Sequence, residues 1–207
     1  MNIKHKNRAI IISSPSGAGK TTLCKLLLKK MKNIDLSISY TTRPKRKSEV
    51  DGKDYFFISE KKFKEFQAKD FFIENAKVFD HLYGTPKNFV EENLIKGIDV
   101  LFDIDWQGAQ KLSNFSKTDI VSVFILPPSN SILKERLKQR NEDSPEIVIK
   151  RMSKAKSEIS HWIEYDYVLI NEDLGKCTDE IVTILKAERK KRDRQKFIFG
   201  LIEKLLK

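Results

Sequence analysis

The stretch Ala9-Ile10-Ile11-Ile12-Ser13-Ser14-Pro15-Ser16-Gly17-Ala18-Gly19-Lys20-Thr21-Thr22 passes from an apolar run through a glycine-bearing turn into a helical pattern. Ala9–Ser13 reads as a strand, short and continuously apolar as a strand buried on both faces must be. Thr21–Lys32 carries Leu23, Leu26, Leu27 and Met31 at helical spacing. Between them, Ser14–Thr21 follows the pattern Gly-x-x-x-x-Gly-Lys-Ser/Thr, with Ser14 in place of the first glycine. Glycines there let backbone N–H groups converge on phosphate oxygens, and the helix behind them points its positive end at the same anion. The pattern predicts that Ser16, Gly17, Ala18, Gly19, Lys20, Thr21 and Thr22 bind the triphosphate of a nucleotide donor. Lys20 would reach the β- and γ-phosphates, and the Thr21 hydroxyl would ligate magnesium. The loop names a donor and leaves the acceptor open.

Outward from this loop, strand-like runs alternate with helical stretches. Asp99–Ile104, Ile120–Leu126 (stopped by Pro127-Pro128) and Tyr167–Ile170 read as strands. Lys87–Lys96, stopped by Gly97, and Asn130–Arg140 read as helices. Ser144-Pro145-Glu146 opens a further helix, with Ser as cap and Pro in the first turn. The remainder after Ile170 reads as one long helix. The alternation predicts an α/β fold, a central parallel sheet with helices on both faces. Ser37–Phe79 breaks it, with β-like Asp54–Ile58 and Phe71–Ala76 around a short helix near Glu60–Ala68, and predicts a small β-rich subdomain on one rim. The highly charged helical pair Asn130–Lys156 reads as a mobile flap.

The chain has 207 residues, one domain's length, and no apolar run approaches the ~20 residues of a membrane span. The apolar run behind Arg8 is too short for a signal-peptide core, so a cytoplasmic protein is expected. Cys24, in the first helix, and Cys177, placed in a polar connection, lack metal-ligand spacing and read as bland thiols. Lys+Arg 40 against Asp+Glu 29 gives a net charge of +11, which favours anionic partners. The densest basic block, Arg189–Lys196, reads as a solvated helix face ahead of Phe197-Ile198-Phe199 and Leu201-Ile202, the packing part of a C-terminal helix. No motif supports nucleic-acid binding there.

The segment Tyr40-Thr41-Thr42-Arg43-Pro44-Lys45-Arg46-Lys47-Ser48-Glu49-Val50-Asp51-Gly52-Lys53-Asp54-Tyr55 resembles the Thr-Thr-Arg-x-x-Arg-x-x-Glu-x-x-Gly-x-Asp-Tyr element of the guanylate kinase family, and meets every fixed position. Further matching segments follow in order. They are Phe72–Ala76, Tyr83-Gly84-Thr85, Leu101–Gly108, Ile125–Ser129, Lys150-Arg151-Met152 and Asp166–Asn171. The resemblance runs from about residue 8 to 195 and is strongest to the bacterial enzymes. It implies a P-loop three-layer fold with a core of residues 1–36, 87–128 and 157–207, a GMP-binding subdomain over 37–86 and a helical lid over 129–156.

The resemblance also implies roles. Ser39, Glu74, Thr85 and Asp105 would read guanine; Arg43, Arg46, Tyr55 and Tyr83 would bind the acceptor phosphate; Glu49 and Asp103 would support the acceptor site. Arg136, Arg140 and Arg151 would meet the donor phosphates, with Lys20, Arg43, Arg140 and Arg151 as the catalytic set, and Asn171 would lie near the adenine. Ser48 and Asn141 stand where glycines are common in the family. The implied reaction is ATP:GMP phosphoryl transfer, dGMP also serving, with Mg2+ as cofactor, in purine nucleotide metabolism and GMP recycling. ATP and GMP are the expected partners, without nucleic acid or membrane, and a homodimer is expected over a monomer.

The chemistry of these residue types agrees. Guanine offers N1–H and N2–H donors beside its O6 acceptor, so carboxylates accept and hydroxyls donate. Adenine inverts that edge and would leave buried polar groups unpaired. Alternative readings are a guanylate-kinase-like module that binds phosphorylated peptides without turnover, and a small kinase of the same fold acting on another acceptor. The intact Lys20, Thr21, Arg43, Arg46 and Asp103 oppose the first, and the guanine-reading set opposes the second.

Overall fold

The computed structural model describes residues 8–78, 80–115, 120–139 and 145–207. Five strands form the main sheet: β1 (Ala9–Ser13), β2 (Ile34–Ser37), β7 (Asp99–Asp103), β8 (Ile120–Leu126) and β9 (Tyr167–Ile170). Their order is β2-β7-β1-β8-β9, and every pairing is parallel. The centre of that sheet is β1, all five of whose residues are buried. Alternate side chains leave opposite faces. Ile10 and Ile12 join Leu23, Cys24 and Leu27 of α1 (Lys20–Lys30) and Cys177, Ile181 and Leu185 of α7 (Leu174–Glu188). Ile11 joins Val90 of α3 (Lys87–Lys96) and Ala109 and Leu112 of α4 (Trp106–Phe115) on the other side. Two apolar layers on one parallel sheet make the three-layer α/β fold that the alternation predicts.

A second sheet has the order β4-β3-β6-β5, built from β3 (Tyr40–Thr41), β4 (Phe56–Phe57), β5 (Phe72–Val78) and β6 (His81–Pro86). Its helix α2 (Glu60–Ala68) is capped by the Ser59 hydroxyl, which accepts from the Lys62 N–H. Phe63 and Phe72 stack at 4.5 Å, and a Cβ on Gly84 would lie 2.8 Å from the Phe72 ring, so the small residue lets sheet and helix close. Two further helices, α5 (Asn130–Gln139) and α6 (Pro145–Ser160), join through Leu133, Leu137 and Ala155. The expected lid arginine Arg140, with Asn141, lies outside the described residues.

Several expectations change. The first helix starts at Lys20 and ends at Lys30, because Met31 is already extended (φ −114°, ψ 136°). Ser37, where the inserted segment was expected to begin, still pairs with Phe102 in the main sheet. The strands β2 and β6 and the helix α4 were not foreseen. Cys177 is not in a connection but buried in α7, at i, i+4, i+8 with Ile181 and Leu185. The long final helix is broken by a 3-10 turn at Arg192–Arg194, after which α8 (Lys196–Leu205) begins.

The basic block is only in part a solvated face: Lys190, Lys191 and Arg192 are exposed, but Arg189 and Arg194 have partners in the fold. Arg194 folds back to Glu188 at 3.1 Å, Arg8 also reaches Glu188, and Arg189 pairs with Asp99 at 2.6 Å. Of the expected packing residues of the last helix, Ile198 is half-buried, whereas Phe199 is 66% exposed and Leu201 and Ile202 are exposed as well.

Candidate active site

The turn between β1 and α1 takes its shape from two glycines. Gly17 (φ 93°) and Gly19 (φ 101°) lie in the left-handed region that side chains avoid. Space forbids a side chain as well: a Cβ on Gly19 would sit 2.5 Å from Asn171 Nδ2, and one on Gly17 2.9 Å from Leu137. Gly19 caps α1 without a side chain, and the first turn carries no acidic residue, so the helix's N-terminal N–H groups are left for an anion.

Beyond the loop, Asp103 ends β7 and gathers the loop's side chains. Lys20 Nζ lies 2.6 Å from Asp103 Oδ1, and the Thr21 hydroxyl donates to Asp103 Oδ2 at 2.8 Å. Burial opposes the Lys20 charge, but Asp103 outweighs it and holds the ammonium above its ordinary range. Asp103, expected both to support the acceptor site and to orient magnesium-bound water or an arginine, holds Lys20 and Thr21 of the loop and lines the cleft.

A cleft of about 1230 Å3 runs from this loop to the second sheet. Ser16, Gly17, Gly19, Lys20, Thr21 and Arg151 line one end, and Ser39, Arg43, Arg46, Glu49, Tyr55, Glu74, Tyr83 and Asp105 line the other, with Asp103 between. Glu49 organises the arginines. Its Oε1 accepts from Arg43 at 2.6 Å and its Oε2 from the Arg46 N–H at 2.9 Å. Against the cost of burial, those partners hold its carboxyl below the usual range. The Arg43 guanidinium lies 5.5 Å from the Tyr55 ring, and Tyr55 meets Tyr83 edge-on at 5.8 Å. Burial and the nearby Asp103 hold the Tyr55 phenol well above its ordinary value, so at neutral pH it stays a donor.

Glu74 on β5 pairs in register with Thr85 on β6, and the Thr85 hydroxyl donates to Glu74 Oε1 at 2.5 Å. Only 5% of Glu74 is exposed. Burial pushes its pKa up to about 7; the Thr85 bond lowers it, and Asp105 raises it further. Asp105 also caps α4, accepting from the Gly108 N–H at 3.0 Å. Gly108 has a second reason to be small: a Cβ there would sit 2.9 Å from Glu74 Oε2.

Five predicted residues lie off the cleft. Arg136 and Asn171 meet behind the loop, where Arg136 donates to the Asn171 carbonyl (3.0 Å) and Asn171 Nδ2 to the Ala18 carbonyl (2.7 Å). Ala18 is buried and Thr22 exposed. Thr85 is fully buried behind Glu74. Sequence reasoning missed Glu158 of α6, whose carboxylate accepts from the Ser16 N–H at 3.0 Å. Its signal is spacing: it lies seven residues after Arg151, two helical turns along one face. It missed the close fit of Gly108 as well.

For Mg2+ the residues fit. Thr21 and Asp103 present oxygen atoms, the ligand type the ion requires, and the Thr21 oxygen keeps lone pairs while its hydrogen goes to Asp103. Among the described residues no group of three or more His, Cys, Asp or Glu could hold a metal, in keeping with an ion carried chiefly by phosphate and water.

The comparisons with known proteins agree with this geometry. The sequence profile described as guanylate kinase matches residues 6–188. A guanylate kinase of Bradyrhizobium diazoefficiens is 49% identical over 203 residues, covering 98% of this chain and 93% of that protein. One of Zymomonas mobilis is 53% identical over 196 residues, covering 95% and 91%. The crystal structure of guanylate kinase from Anaplasma phagocytophilum superposes with a TM-score of 0.83 at 39% identity, covering 97% of this chain and 95% of the other. With a phosphate loop and a buried Glu74–Thr85 pair facing each other across one cleft, the chain belongs to the guanylate kinase family.

Proposed function

We propose that this protein is an ATP:GMP phosphotransferase, moving the γ-phosphoryl group of ATP to GMP or dGMP and giving ADP with GDP or dGDP. One observation carries the reading: a single cleft is lined by Lys20 and Thr21 of the loop and, at its other end, by Glu74, Asp105, Arg43, Arg46, Tyr55 and Tyr83. Glu74 and Asp105 accept from the guanine N1–H and N2–H groups, and Ser39 donates. Thr85 acts through Glu74, whose carboxylate it fixes.

The acceptor phosphate has a second pKa of about 6 and is mostly a dianion at pH 7, so no general base is needed. The problem is repulsion, since two nucleotides bring about six negative charges together. Arg43 and Arg46, held by Glu49, take the acceptor phosphate; Tyr55 and Tyr83 donate to it; Lys20 and Arg151 take the donor phosphates. Arg136 and Asn171 brace the Ala18 carbonyl and so hold the loop's shape. Mg2+ is the inferred cofactor: held by Thr21, with Asp103 orienting its water, it supplies charge neutralisation between the phosphates. Residues 37–86 and 129–156 are read as the two moving parts that shut water out.

The reading includes ATP and GMP as partners, without nucleic acid or membrane, a cytoplasmic setting and a homodimer. Among the described residues no helix is long and apolar enough to cross a membrane. Leu201 and Leu205, exposed one turn apart on the same face of α8, offer apolar surface that a second copy would cover. The test of function is ADP formation from MgATP with GMP, dGMP, AMP, UMP and dTMP offered separately. Turnover with GMP and dGMP alone is expected; turnover with AMP or a pyrimidine nucleotide overturns the acceptor assignment.

A further inference from the structure

The donor end of the cleft contains a group of the wrong sign for a phosphate site. Glu158 projects from α6 and accepts from the Ser16 N–H at 3.0 Å. Two turns earlier on the same face, Arg151 reaches the Ser16 hydroxyl at 3.4 Å. Both side chains line the cleft. The helix that bears them is held between these two residues and again just past its C-terminus. Ala155 packs on Leu133 and Leu137 of α5, and past the C-terminus His161 stacks on Trp106 with ring centroids 3.6 Å apart. The contact is therefore built into the fold.

Five other acids of the cleft have evident partners: Asp103 has Lys20 and Thr21, Glu49 has Arg43 and Arg46, Glu74 has Thr85, Asp54 has Lys25, and Asp105 caps α4. Glu158 instead binds a backbone N–H of the phosphate loop, as an anionic ligand would. We infer that the Glu158 carboxylate is a built-in substitute for a phosphate oxygen of ATP at Ser16, and that the incoming nucleotide must displace it. Glu158 is thus a positioning residue that weakens donor binding and ties it to movement of α6. Arg151 supplies the cation that remains once the carboxylate has withdrawn. This rests on reading the loop as the ATP site.

The groups around Glu158 set the sign of its pH dependence. Burial raises its pKa, the Ser16 N–H lowers it, Asp105 ahead of α4 raises it, and Lys20 of α1 and Lys154 of α6 lower it, with a net upward shift. Arg151 faces the same loop residue. Protonation removes the negative charge that competes with phosphate. Donor affinity should therefore improve as pH falls through this raised value.

The test is calorimetric titration of wild type, Glu158→Gln and Glu158→Ala with the magnesium complex of a non-hydrolysable ATP analogue, without GMP, from pH 5.5 to 8.5. Glu158→Gln keeps the size and an acceptor oxygen and removes only the charge. It should bind about tenfold tighter than wild type at pH 8, as expected for removing one like charge beside a partly desolvated phosphate. The ratio should close toward acid, while GMP affinity is unchanged. Ionisation of the analogue is common to both proteins and cancels in the ratio. A ratio of one at pH 8, or one constant with pH, overturns the inference. Lys20→Ala run alongside reports the loop itself: failure of wild type to bind the analogue, or full binding by Lys20→Ala, would refute the ATP reading instead. In wild type alone, the Ser16 amide resonance should follow a single carboxylate titration that vanishes on adding the analogue. A pH-independent Ser16 amide also overturns the inference, whatever the variants do.

Discussion

Lys20 Nζ stands 2.6 Å from Asp103 Oδ1, and the other oxygen of that carboxylate holds the Thr21 hydroxyl. One acid at the end of β7 thus orients the two loop side chains that the proposed function sets against the donor phosphates. Lys20→Ala should abolish turnover and leave the fold in place, since Thr21 still occupies Asp103. Circular dichroism and a single-turnover assay check both halves, and retained activity rejects the loop assignment. Asp103→Asn should lower kcat by about a hundredfold, the range found when one preorganised electrostatic partner is removed. ATP affinity should change less, which separate kcat and KM measurements would show.

The guanine end predicts a selective loss. Glu74→Ala removes a charged acceptor for two N–H donors, an interaction of roughly 1.5–3 kcal/mol, so GMP binding should weaken about 10- to 100-fold. ATP binding should hardly move. Calorimetry with each nucleotide separates the cases, and an equal loss for both would make Glu74 structural.

Glu74 should also register in pH experiments. Its folded pKa of about 7 lies above the 4.5 of the free group, so between these values the folded protein holds a proton that the unfolded chain has released. Stability from this site is complete below pH 4.5 and lost as pH rises through 7. Glu74→Gln should flatten that slope and be more stable than wild type at pH 8, by up to about 3 kcal/mol. Denaturant titrations at pH 5 and pH 8 measure it. Because GMP needs the ionised carboxylate, its binding near pH 7 should release protons. Titrations in buffers of different ionisation enthalpy would detect them.

Gly108 leaves room for that carboxylate. A Cβ at 2.9 Å from Glu74 Oε2 must push it aside. Gly108→Ala should raise the KM for GMP with little change in the KM for ATP, and steady-state kinetics with each substrate varied in turn would show it. Equal kinetics for variant and wild type would mean the helix yields instead.

Closure is the largest motion expected. Lys25 of α1 pairs with Asp54 of the inserted segment at 2.7 Å, a link between the core and the acceptor side that is over half exposed at the lysine. Such a pair contributes at most about 1 kcal/mol, so Lys25→Ala should scarcely alter thermal stability. Binding of an analogue joining adenosine and guanosine through phosphates should draw Ser37–Phe79 and Asn130–Lys156 inward. Small-angle scattering should then show a smaller radius of gyration, and an unchanged curve would count against it.

Much of this protein was legible because its signals are local. Ala9-Ile10-Ile11-Ile12 is apolar at every position, as a strand covered on both faces requires, and Gly17 and Gly19 mark a turn whose backbone side chains rarely adopt. The arginine pair and Glu49 lie within one short segment, so their contacts follow from chain proximity. The errors came where distant segments decide the outcome. Arg189 looks solvated in a basic run, yet it pairs with Asp99 because folding returns the C-terminal region beside β7. Cys177 looks polar among its neighbours and is buried because α7 lies across the main sheet.

By itself the sequence determined the parallel three-layer core and the glycine-bearing loop ahead of α1, because periodicity and backbone freedom belong to residues near one another in the chain. Only the tertiary structure decided which groups meet across it. It set Asp103 on Lys20, Thr85 on Glu74 and Glu158 on Ser16, pairs separated by 83, 11 and 142 positions and closed by strand order, strand register and helix docking. Such contacts depend on which buried surfaces fit together, a property of the packed chain as a whole that no local run of residues carries.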